Sequence, residues 1–220
     1  MLPKCLLAMF ISVLASCDTF DSPQPHGVNP SKALPAVLQG SYRCEDVQEK
    51  GKIYIGENQI IFSSVHPGKY SLTEAKKIGE SYYVVHKGDF NKELVCELIH
   101  TRIEKDSIFG DVVIEDLFKL GSNCQLMKVN EFHILNFEFS ADNQSAWYPV
   151  LIDNFGDNYR GYYLSDDFSE SLKEDDPNGK GTRLKNLSTS DILDIFSKRS
   201  SSLKLAWEFD TRNKIFRTYE

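Results

Sequence analysis

Residues 52–62 read Lys52-Ile53-Tyr54-Ile55-Gly56-Glu57-Asn58-Gln59-Ile60-Ile61-Phe62. Two runs of β-branched and aromatic residues flank a short Gly-Glu-Asn turn, which is the pattern of a β-hairpin. The same pattern extends both ways. Gly40 to Cys44 begins a strand before it. Strands are expected after it at 81–86, 93–99, 107–114, 124–129, 132–139, 146–152 and 159–164. A last pair, 204–209 and 214–219, turns through 210–213. Turn signals every 8–12 residues or so indicate an antiparallel all-β sandwich or barrel.

One helix interrupts this, expected at about 189–199. Ser188 is placed to cap free backbone N–H groups and Asp191 to complement the helix dipole. Ile192, Leu193, Ile195 and Phe196 then form one apolar face, which the pattern turns toward the sheet. Residues 72–78 suggest a further helical turn, stopped by Gly79. Tyr83 to His86 with Val95 to Ile99 echoes His133 to Asn136 with Tyr148 to Ile152. That echo fits either a duplicated hairpin, with two lobes meeting near 120–130, or generic strand composition. Trp147-Tyr148 and Tyr162-Tyr163 must each split across the two sheet faces. Trp207 and Phe209 share a face and are assigned to the core.

The composition is that of a globular protein, with 41% hydrophobic and 26% charged residues, neither disordered nor collagen-like. Lys and Arg total 25 against 32 Asp and Glu, a net charge of −7. No basic face for phosphate is indicated, so nucleic acid is not an expected partner. The longest apolar run falls short of the length that spans a bilayer as a helix.

That run lies in residues 1–17, MLPKCLLAMFISVLASC. Lys4 supplies a positive n-region, Cys5 to Val13 an apolar stretch, and Ala15 and Ser16 the small residues of a cleavage site. This is the pattern of a signal peptide over residues 1–16. Leu14-Ala15-Ser16-Cys17 resembles the lipobox of bacterial lipoproteins. The resemblance covers these 17 residues and implies cleavage between Ser16 and Cys17 with acylation of the Cys17 thiol. It also implies a mature protein held by acyl chains on the non-cytoplasmic side of an envelope membrane, inner or outer. The alternative is an ordinary secretory signal cut near Ala15. Two or three acyl chains anchor stably, at about 0.8 kcal/mol per buried CH₂.

Residues 17–37 hold Pro23, Pro25, Pro30 and Pro35, half of the eight prolines. They are expected to form an extended tether reaching up to ~60 Å, with His26 solvated in it. The β-rich domain is then 38–220. Its opening, Leu38-Gln39-Gly40-Ser41-Tyr42, resembles the first strand of lipocalin-like domains, with Tyr42 at the position of their Trp. The match covers five residues; it implies a closed barrel and carries no binding residue.

Beyond Cys17 and the discarded Cys5, the cysteines are Cys44, Cys96 and Cys124. An oxidising envelope permits one bridge among them, Cys44–Cys96 or Cys44–Cys124. Cys96, between Leu94 and Leu98 on one strand face, reads as a core residue. Residues 165–181 concentrate acids, and Glu174, Asp176 and Asn178 with Gly179 partly mimic a calcium loop. The twelfth position, where an EF-hand places a bidentate Glu, is Lys185. A solvated loop is the plainer reading.

The five histidines have no metal-ligand spacing, and His86 is expected opposite Val95, clear of His100. No nucleophile elbow, Walker loop or dinucleotide turn occurs, so no cofactor and no catalytic residue is assigned. The functional expectation is a binding module at the envelope, for an apolar small ligand in a barrel or for a protein partner. A structural or assembly accessory is the alternative, and a hydrolase without a recognisable motif comes last.

Overall fold

The computed structural model describes residues 20–45, 50–87, 93–141, 144–175 and 182–219. The chain is mainly β, built on one 13-stranded mixed sheet, with a separate two-stranded ribbon, three α-helices and a 3-10 turn at Ala36–Leu38 among the described residues.

The strands are β1 (Gly40–Cys44), β2 (Lys50–Ile55), β3 (Gln59–Ser71), β4 (Lys76–Ile78), β5 (Ser81–Lys87), β6 (Glu93–Glu104), β7 (Ser107–Lys119) and β8 (Cys124–Val129). They continue as β9 (Phe132–Ala141), β10 (Gln144–Phe155), β11 (Asn158–Leu164), β12 (Lys173–Asp175), β13 (Thr182–Leu184), β14 (Leu203–Asp210) and β15 (Ile215–Thr218). The helices are α1 (Asp166–Ser171), α2 (Thr189–Ser197) and α3 (Arg199–Ser202). The hairpin read from residues 52–62 is β2–β3, paired from Ile55↔Ile60 to Lys50↔Val65.

The strand order is β4-β5-β6-β7-β3-β2-β1-β15-β14-β11-β10-β9-β8. Within this sheet, every strand before residue 120 lies on one side of the β1–β15 seam and every strand after it on the other. That seam is the parallel pair Arg43↔Ile215 and Cys44↔Phe216. The remaining pairs are antiparallel. This order differs from the sequential up-and-down order of a lipocalin barrel.

The sheet curls until its two halves meet. Leu120 bridges to Cys124, and the ring of Phe118 on β7 meets that of Phe137 on β9 edge-on at 4.7 Å. Tyr42, Phe62, Phe118, Phe137, Trp207, Phe209 and Phe216 fill the enclosed face with Leu, Ile and Val from both halves. The two halves therefore share one core, and the boundary at 120–123 separates strands without separating lobes.

β3 and β7 pair along their whole length, from Gln59↔Lys119 to Ser71↔Ser107. Their first-paired halves line the curled core. Their far halves carry β6, β5 and β4 as an arm with its own small cluster of Val84, Leu98, Ile108 and Val112. Residues 72–75 form a turn and 76–78 the short edge strand β4, so the expected helical turn is absent. Lys77 pairs with Tyr82 there, and its Nζ lies 5.6 Å from the Tyr82 ring. The strand's hydrogen bonds to β5 displace the helical alternative.

A second layer covers the outer face of β8–β11 and β14. Helix α2 begins with a reciprocal capping box: the Ser188 Oγ accepts from Asp191 N–H, and the Asp191 carboxylate accepts from Ser188 N–H at 2.7 Å. Ile192, Ile195 and Phe196 are buried. Each contributes about 1.5–3 kcal/mol of transfer free energy. Phe196 stacks on Phe132 with ring centroids 3.8 Å apart.

One strand serves both layers. Opposite Gly161 and Tyr162, β14 presents Trp207 and Leu205, so Ala206 is an extra residue. This bulge flips the strand's faces. Leu203 and Leu205 join the outer layer, whereas Trp207 and Phe209 point into the curled core. The Trp207 indole lies over Gly161, where an added Cβ would stand 2.1 Å from it. Gly161→Ala is therefore expected to lower stability by about 1–3 kcal/mol, the usual cost of overpacking. A lower urea midpoint with unchanged slope is the readout.

Candidate functional surfaces

Three places could carry function: the curled interior, the strap that precedes β1, and the outer face of the arm.

The interior is packed. Tyr42 donates its hydroxyl to Leu38 C=O at 2.7 Å, and Lys214 Nζ stands 4.7 Å from its ring. Burial pushes the Tyr42 phenol up to about 12. Eight buried aromatic rings, Tyr159 among them, meet where a ligand-binding barrel would hold its cargo.

The strap is residues 20–38. These were expected to be an extended tether; the structure instead lays them on the sheet. β10 outruns β11, so Trp147 has no strand on that side. Phe20 supplies one: Phe20 N–H donates to Trp147 C=O at 3.0 Å, and Trp147 N–H returns the bond at 2.8 Å. Phe20 is 1% exposed and packs in the outer layer. Next, Gln24 is fully buried over β9. Its N–H donates to Asn136 Oδ1 and its C=O accepts from Asn136 Nδ2, both at 2.8 Å. Its side-chain amide donates to Asn186 Oδ1 and accepts from Leu187 N–H. The strap then meets the β8 edge, where Ser31 N–H donates to Leu126 C=O at 2.7 Å. Finally Leu34 and Leu38 enter the interior core.

The tether expectation failed because composition hid these anchors. The prolines do extend the chain, but Phe20, Gln24, Leu34 and Leu38 hold it down. His26 is exposed, as a solvated residue would be. Asn136→Ala removes both backbone partners of Gln24. Each buried orphan costs about 1–3 kcal/mol. Chymotrypsin is expected to cut after Phe20 much faster in that variant than in the parent.

The arm presents an apolar outer face. Val85 pairs directly with Val95, and they are 53% and 74% exposed. Ile78, also about half exposed, pairs with Ser81 on that face, and Tyr83 pairs with Glu97. Ser81 Oγ donates to the Glu97 carboxylate at 2.5 Å beside them. On the curled part, Tyr54, Ile61 and Leu117 form a second cross-strand row, with Tyr54 and Leu117 exposed.

Ser16 and Cys17 lie outside the described residues, as do Asp176 and Asn178 of the calcium candidate. Glu174 pairs with Arg183 across the β12–β13 ribbon. Among the described residues no group of three His, Cys, Asp or Glu is placed to hold a metal ion. Cys44, Cys96 and Cys124 sit on β1, β6 and β8, and among the described residues no disulfide joins any two of them. Cys96 packs beside the arm cluster, as a core reading requires. Burial pushes the Cys124 thiol up to about 12, so it is not a nucleophile. His86 pairs with Leu94, one residue from the register expected for it, and His100 binds Asp111 at 3.1 Å. Trp147 and Tyr148 do split across the sheet, to the outer layer and the interior.

Sequence reading missed one pair. Ser64 Oγ and His66 Nε2 lie 2.7 Å apart on β3. Their Ser-x-His spacing puts them on one strand face. The β3 backbone is laddered to β7 at both residues and to β2 at Ser64. The pair reads as a satisfied polar contact at the join between curled core and arm.

His133 is half-buried on β9 opposite Lys128. Burial first, and the Lys128 charge second, hold its pKa below the ordinary 6.5. The unfolded chain therefore binds this proton more readily than the native one. Stability is full above pH 6.5 or so and falls as pH drops from there toward the depressed native value. His133→Gln is expected to flatten that limb of the urea midpoint against pH.

No family model matches the chain, and no curated protein and no solved structure matches it.

Proposed function

We propose that this chain is an envelope lipoprotein, anchored through acyl chains on Cys17, whose arm binds a protein partner. The Val85–Val95 pair carries the reading. The arm packs Val84 and Leu98 on one face and leaves two directly opposed valines more than half exposed on the other. Large exposed apolar groups gathered on one face mark association surfaces. The aromatic filling of the curled interior favours this reading over an apolar small ligand. An assembly accessory uses the same surface and differs only in what the partner does.

The test places a photo-crosslinking amino acid at Val95 in the envelope of a producing bacterium. A discrete protein adduct is expected, and Val85→Lys is expected to abolish it without shifting the urea midpoint. Absence of any adduct, together with a small molecule retained in the native mass of the purified protein, would overturn the reading in favour of a ligand carrier.

A further inference from the structure

We infer that the domain rests directly on the lipid surface, fixed there by the strap at Phe20, and does not stand off on a linker. The inference depends on the acylation of Cys17 proposed above.

Phe20 is 1% exposed and tied to Trp147 by both backbone groups. Only Asp18 and Thr19 separate it from Cys17. Three residue steps, fully extended, reach at most about 11 Å. A diacylglyceryl thioether holds the Cys17 sulfur at the level of the lipid glycerols, beneath a headgroup layer roughly 5–8 Å deep. The Phe20 backbone is thus confined to the headgroup layer or just above it.

The chain beyond Phe20 has no slack to release. Gln24 is bonded on both its backbone and its side chain, Ser31 is bonded to Leu126, and Leu34 N–H donates to Glu57 C=O at 2.7 Å. Lifting the domain would require peeling Phe20 and Gln24 from buried sites. The occupant of the surface around Phe20 and Trp147 is therefore a bilayer.

Trp147 is one of two tryptophans in the chain, which makes the geometry readable without a label. The full chain would be made in a bacterium that acylates lipoproteins. The mass of its N-terminal peptide would establish the lipid on Cys17. The purified protein in phosphatidylcholine vesicles carrying a headgroup nitroxide should then show strong quenching of tryptophan fluorescence. A Gly/Ser insertion of about twelve residues between Asp18 and Thr19 adds a root-mean-square reach of ~20 Å. It is expected to cut the quenching by about twofold or more, since nitroxide quenching is short-ranged and the added reach lets the domain leave the headgroups. Trp207→Phe should leave quenching in place, assigning it to Trp147.

Acylated protein that quenches equally with and without the insertion, or not at all, overturns the seating and leaves the anchor standing. An unmodified Cys17 overturns the envelope reading and the seating with it.

Discussion

The extra residue Ala206 in β14 holds the two layers together. Without it, Leu203, Leu205, Trp207 and Phe209 would all point to one side, and one layer would lose its share of the strand. With it, the first half of β14 packs on the helix layer and the second half closes the aromatic interior. Gly161 completes the arrangement by leaving room for the Trp207 ring. From there Phe209, Phe216 and Tyr42 continue the aromatic packing across the β1–β15 seam. The outer face of the same strands carries a charge ladder: Arg160 binds Glu208 at 2.6 Å, and Arg217 lies between Glu208 and Glu45.

Much of the strand content was legible because alternation over four to eight residues has few competing explanations. The β2–β3, β8–β9 and β14–β15 hairpins follow from local turn chemistry; at β8–β9, Asn130 takes the left-handed conformation that a two-residue turn needs. Helix α2 was legible from Ser188, Asp191 and the apolar face of Ile192, Leu193, Ile195 and Phe196. The order of strands was not. The β1–β15 pairing joins segments at opposite ends of the fold, and no local pattern encodes a partner so distant. The length of β3 was hidden for a related reason: Pro67 and Gly68 look like a break, yet both remain in the ladder to β7.

The surfaces were harder to read than the fold. Residues 20–38 have the composition of a linker, and only the neighbours of Gln24 reveal a buried anchor. Asn136 looks like a routine polar residue in a strand, but its amide replaces the backbone partners that Gln24 would otherwise lack. The exposed valines on the arm resemble core strand residues because Val84 and Leu98, their neighbours, are core. What separates the two sets is which face the second layer covers, and that is a property of the assembled sheet.

The parallel seam also governs the order in which the chain can complete itself. Arg43 waits for Ile215, so the edge of β1 stays open through synthesis of nearly all that lies between them. Contacts of such long sequence separation are slow to form, and an unpaired strand edge is prone to pair with other chains in the meantime. The yield of folded chain should therefore be governed by how long β1 remains uncovered rather than by the stability of the finished sheet.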